Sequence, residues 1–136
     1  MTARYLLDTN ICIYIRRRRP PAVMERFRQL QSGEAVLSVI TYGELLYGAE
    51  KSAERANATD KLHQLIELIP VMPLPEDAAA AYAAQRAALE HKGRMIGNND
   101  LWIAAHAIAA GLILVTNDER ELGRVSGLKI ENWSRG

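Results

Sequence analysis

The chain is short of several residue types, and each shortage closes a route. It has a single cysteine, Cys12, in 136 residues, so no internal disulfide forms, which fits a reducing cytoplasm. No apolar run approaches the roughly 18 residues of a membrane span. The opening Met1 to Asn10 lacks the order of a secretory signal, because Arg4 and Asp8 interrupt its short apolar stretch. There is no glycine-rich phosphate loop and no G-x-S-x-G elbow. The three histidines (His63, His91, His106) and Cys12 have no zinc-ligand spacing. Net charge is only +1, so bulk charge names no partner. What remains is 49% hydrophobic content, ample for one core, and the expectation is a single domain over 1–136.

Strand-like and helix-like segments alternate along the chain. Arg4 to Leu7, Ala35 to Val39, Pro70 to Pro73, Leu112 to Val115 and Leu128 to Glu131 read as short strands. Helices are expected over Ile11 to Arg18, Ala22 to Gln31, Thr41 to about Glu54, Asn57 to Leu68, Glu76 to His91 and Asp100 to Ala110, the last closed by Gly111. Asn117 to Leu122 reads as a turn or a single helical turn. Such alternation predicts an α/β fold, a mostly parallel central sheet covered by helices.

Four acids occupy informative positions: Asp8 after Tyr5-Leu6-Leu7, Glu44 beyond Val36 to Ile40, Asp100 at the head of an apolar helix, and Asp118 after Ile113 to Thr116. Each has a local explanation. Asp8 suits a helix N-cap, Thr41 with Glu44 matches a capping box, Asp100 is a first-turn acid, and Asp118 suits a turn. Asn98-Asn99 are candidates for the cap that frees Asp100, and Glu119 and Glu121 compete with Asp118 for the fourth place. Taken together, the four point to one edge of the sheet, where the carboxyl ends of parallel strands form a crevice. Gathered carboxylates repel unless protons or a hard cation relieve them, so Mg²⁺ or Mn²⁺ and phosphate chemistry are expected. His106, Trp102 and Trp133 are expected to pack rather than to ligate or stack on a base.

Four stretches carry a resemblance: Tyr5 to Asn10, Ser38 to Leu45, Asn99 to Ala107 and Leu114 to Asp118. In this order, across essentially the whole chain, they resemble the PIN-domain ribonucleases, and within them the VapC toxins of bacterial VapBC toxin–antitoxin pairs. The ending Val125 to Trp133 is similar to VapC proteins that cleave initiator tRNA. The resemblance implies a three-layer α/β/α fold and a Mg²⁺- or Mn²⁺-dependent endoribonuclease. It places Asp8, Glu44, Asp100 and Asp118 as metal-holding, catalytic acids. It also implies an RNA substrate, a homodimer and a VapB-like antitoxin; the cytoplasmic expectation rests on the single cysteine.

The expected reaction is in-line attack of a metal-activated water on phosphorus, leaving 5′-phosphate and 3′-hydroxyl ends. Arginine outnumbers lysine 13 to 4, and Arg16 to Arg19 stand together. That run reads equally as a solvated helix end or, with Lys92 and Arg94, as a grip on an RNA backbone. Two other classes stay open. An aspartate phosphotransfer domain would use Asp8 as nucleophile, but Asn10 stands where a second acid is wanted, and no lysine follows the late strand. A non-catalytic binding module would use the acids only as caps.

Overall fold

Buried strands with side chains alternating between faces build a two-sided sheet, and that alternation organises this molecule. The computed structural model describes residues 2–135. The strands are β1 (Tyr5–Leu7), β2 (Ala35–Ser38), β3 (Val71–Met72), β4 (Ile113–Val115) and β5 (Ile130–Glu131). They form one sheet in the order β3-β2-β1-β4-β5, every pair parallel. The helices are α1 (Thr9–Arg17), α2 (Pro21–Arg28), α3 (Val39–Glu50), α4 (Arg55–Leu68), α5 (Ala78–His91), α6 (Asn98–Ala110) and α7 (Glu119–Leu122).

Tyr5, Leu7, Ala35, Leu37 and Val115 point to one face and pack with Ile11, Ile15, Val23, Leu45, Leu62 and Leu65 from α1 to α4. Leu6, Val36 and Leu114 point to the other, against Leu89, Leu101, Ile103, Ala104 and Leu122 from α5 to α7. The result is the expected α/β/α sandwich, with a sheet that is parallel throughout. The carboxyl end of the chain is tied to the first face by Arg26, which bonds Glu131 at 3.0 Å and lies 5.5 Å from the Trp133 ring centroid. Among the described residues no helix is long and apolar enough to cross a membrane.

Three expected boundaries move. Ser38, not Thr41, caps α3, its hydroxyl accepting from the Ile40 N–H at 3.1 Å. The helix therefore starts before Thr41, which is buried inside it, and the Thr41–Glu44 capping box does not form. A serine at the end of a buried strand was available as a cap, and strand propensity hid it. The same helix stops at Glu50, short of the expected Glu54. Gly97 is the N-cap of α6, so Asn98 and Asn99 are helical rather than capping.

Candidate active site at the carboxyl edge of the sheet

Each acid reaches the edge by a separate element. Asp8 directly follows β1, and its N–H bonds the Val115 carbonyl at 3.0 Å, which fixes it beside the end of β4. It is also the N-cap of α1, with one oxygen accepting from the Ile11 N–H at 3.0 Å. Its plain local role is thus real, yet it leaves the second oxygen free of that duty. Asp118 lies three residues beyond β4 and caps the short α7, accepting from the Glu121 N–H at 3.1 Å. Its own N–H is held by the Thr116 hydroxyl at 3.0 Å. Asp100 projects from the first turn of α6, and Glu44 from α3.

The tightest group is Asp100, Asp118 and Glu121: one carboxylate oxygen from each lies within 4.8 Å of the others. Glu121 was a competitor for the fourth place on sequence; folding places it beside Asp118 rather than instead of it. The helical spacing of three between Asp118 and Glu121 was the available signal. Glu44 stands at the border of this group. Its two oxygens accept from the Thr9 hydroxyl at 2.5 Å and from the Asn99 amide at 3.4 Å. Thr9 and Asn99 are therefore positioning neighbours, of which only Thr9 was legible as a polar flank of Asp8.

Electrostatics tie the acids into one field. The Asp8 carboxyl is 8% exposed, and burial is the main cause that pushes its pKa up to about 6. The negative charges of Asp100 and Asp118 push the same way, while hydrogen bonds from Thr116 and Ile11 oppose. Asp100 is likewise shifted upward, first by burial, then by Glu44, Glu121 and Asp118. Such shifts record carboxylates taken out of water and then crowded by like charge. An all-oxygen, all-carboxylate donor set suits hard ions such as Mg²⁺ and Mn²⁺, whereas zinc and copper favour nitrogen and sulfur. The residues thus fit a hard divalent cation.

No alternative chemistry competes nearby. His106 is fully buried, its Nδ1 2.8 Å from the Ser38 Oγ, and burial lowers its pKa. The Cys12 thiol is fully buried, and burial raises its pKa far above the reactive range. Trp133 packs edge-on against Tyr5, and Trp102 stacks on Tyr82 at 3.8 Å between centroids.

Comparison with known proteins agrees with this geometry. The sequence matches the PIN domain family over residues 5–128. It is 42% identical over 130 residues to Ribonuclease VapC2 of Haemophilus influenzae, covering 96% of this chain and 98% of the relative. It is 41% identical over 131 residues to the tRNA(fMet)-specific endonuclease VapC of Shigella flexneri, with coverage of 96% and 98%. Among solved structures, VapBC-1 from nontypeable Haemophilus influenzae superposes with a TM-score of 0.90 at 37% identity, covering 99% of this chain and 100% of that one. The parallel sheet, the acid-lined edge and full-length relatives of this kind make the chain a member of the PIN-domain family, within the VapC ribonucleases.

Proposed function

We propose that this toxin endoribonuclease works with Mg²⁺ or Mn²⁺ held by Asp100, Asp118 and Glu121, with Asp8 and Glu44 completing the negative edge. The observation that carries the reading is the convergence of the Asp100, Asp118 and Glu121 oxygens within 4.8 Å, beside a buried Asp8. A divalent ion bound there would supply a water of lowered pKa and charge neutralisation at the scissile phosphate.

The chain's own residues set the frame. Thr9 and Asn99 hold Glu44, the Thr116 hydroxyl and the Glu121 N–H hold the Asp118 turn, and Ile11 holds Asp8. Such bonds keep carboxylates in place against their mutual repulsion. His106 and Cys12 are sealed in the core and supply no nucleophile, which supports water as the attacking group in this reading.

By likeness to the Shigella protein we take transfer RNA, the initiator form first, as the substrate to test. The solved VapBC relatives support a VapB-like antitoxin as partner. A homodimer and a cytoplasmic setting complete the proposal. The direct test is Asp100→Asn on end-labelled tRNA with Mn²⁺. Several kcal/mol of lost transition-state stabilisation should slow cleavage at least about a hundredfold. Cleavage at the wild-type rate would overturn the assignment.

A further inference from the structure

The short helix α7 has two polar faces, and only one is used by the acid edge. Asp118 and Glu121 face the edge, and Leu122 is buried in the core. Glu119, Arg120 and Arg124 face a separate groove of about 400 Å³, whose opposite wall is Leu89, Lys92 and Arg94. We propose that this groove is the track that carries the RNA backbone into the acid edge, an inference that rests on the ribonuclease reading above.

The charge inventory points to an anionic strand. Lys92, Arg94, Arg120 and Arg124 line the groove, and none of them enters an ion pair among the described residues. The single carboxylate there, Glu119, is already engaged by Arg135 at 2.6 Å and by the Asn132 amide at 3.1 Å. Four cations facing one neutralised acid attract phosphate. Three of the four are arginines, whose planar forks bind phosphate oxygens bidentately.

One of them is set in place in advance. Arg124 donates from Nη1 to the Met95 carbonyl at 3.0 Å, while its Nε is buried without a partner. A guanidinium already anchored loses little freedom when an anion arrives. Arg94 and Arg120 are exposed and free to follow the strand.

Position separates this groove from the other basic one. Arg16, Arg17, Arg18 and Lys61 line a cavity of about 510 Å³ between α1 and α4, which also contains Glu54. Those arginines close the end of α1, where cations complement the helix dipole, and Asp8 caps the opposite end of that helix. Arg120 and Arg124, in contrast, sit within one helical turn of Glu121. The two faces of α7 are about 10 Å apart, the width of a helix, so a strand lying in the groove needs only to pass over α7 to present a phosphate to the acids.

The test uses the full chain in EDTA, with a 5′-fluorescein single-stranded RNA oligonucleotide as probe and fluorescence anisotropy read across a KCl series. Arg94→Ala with Arg120→Ala, both exposed and without folding duties, should flatten the log–log salt slope by about 0.7 for each phosphate no longer neutralised. Arg16→Ala with Arg17→Ala, and the surface control Arg55→Ala, should keep the wild-type slope. Thermal melts matching wild type exclude misfolding as the cause. A wild-type slope in the Arg94/Arg120 variant overturns the track, even if Asp100→Asn is inactive. The track is equally overturned if that variant binds RNA normally and loses only a VapB-like partner. If Asp100→Asn cleaves normally while the groove variant loses its slope, the catalytic reading fails and the track stands.

Discussion

Helix α6 carries two buried or half-buried ionisable groups on an otherwise apolar body: Asp100 in its first turn and His106 near its middle. Burial acts on both in the same sense, towards the neutral form, raising Asp100 and lowering His106. Their surroundings then part company. His106 meets a hydroxyl at Nδ1, that of Ser38, which asks for no charge, while its Nε2 is buried without a partner, and burial keeps the ring neutral in the core. Asp100 meets Glu44, Glu121 and Asp118, three more acids, which leave a deficit of positive charge that the protein does not fill. One helix thus holds a neutral ring answered on one side and a carboxylate set among like charges. What separates the two is the unanswered charge and not burial.

Four measurements sharpen that contrast. The largest effect on stability belongs to the buried histidine. His106→Ala empties a buried ring site and leaves the Ser38 hydroxyl only its bond from the Ile40 N–H, so urea unfolding should show a loss of about 3 kcal/mol. Metal-free Asp100→Asn, by removing like-charge repulsion, should be as stable as wild type or more so. A destabilised Asp100→Asn and a silent His106→Ala would reverse the comparison.

The next effect is in pH. Asp8 has its folded pKa raised from near 3.8 to about 6, so its contribution is fully present below 3.8 and is lost as pH rises through about 6. The most it can amount to is about 3 kcal/mol. His106 works in the opposite direction: its folded pKa is lowered, so the neutral core state loses stability as pH falls below the ordinary histidine value of 6.5. In metal-free protein the Asp8 and His106 slopes oppose each other, and Asp100, shifted upward like Asp8, adds to the Asp8 slope; Asp8→Asn combined with Asp100→Asn, the first still capping α1, leaves the histidine slope. Chemical denaturation from pH 4 to 8 should then show stability only rising with pH. Saturating Mn²⁺ at pH 7 should raise the wild-type melting temperature, as binding to the folded state requires, and leave Asp100→Asn nearly unmoved.

The smallest effect concerns Glu44. Thr9→Val removes the closer of its two donors. About 1 kcal/mol of lost positioning should slow Mn²⁺-dependent cleavage roughly fivefold, with the melting temperature little changed. A rate drop that tracks a fall in melting temperature would make Thr9 structural instead.

The order of elements was legible because period-two and period-3.6 patterns are local. Leu6 against Tyr5 and Leu7, or the run from Leu101 to Ala107, carry their own evidence of burial. The caps were less legible. Ser38 and Thr41 are both good N-cap residues three apart, and only the end of the ladder with β3, where Ser38 pairs Met72, selects between them. Glu121 remained a competitor rather than a member because its spacing from Asp118 is helical only if the turn at 119–122 forms, and the sequence left that segment between a turn and a helical turn.

The sequence by itself determined an alternating α/β chain whose Asp8, Glu44, Asp100 and Asp118 stand at or near the ends of buried segments, since burial and periodicity are written in neighbouring residues. Only the tertiary structure decided which carboxylates meet. Placing β1 between β2 and β4 sets Asp8 beside the end of a strand more than a hundred residues away in the chain, and packing of α6 under α7 completes the group with Glu121. That partnership depends on strand order and on the side from which each helix returns. Both are long-range packing choices, made by the fit of two apolar faces and not by any local signal.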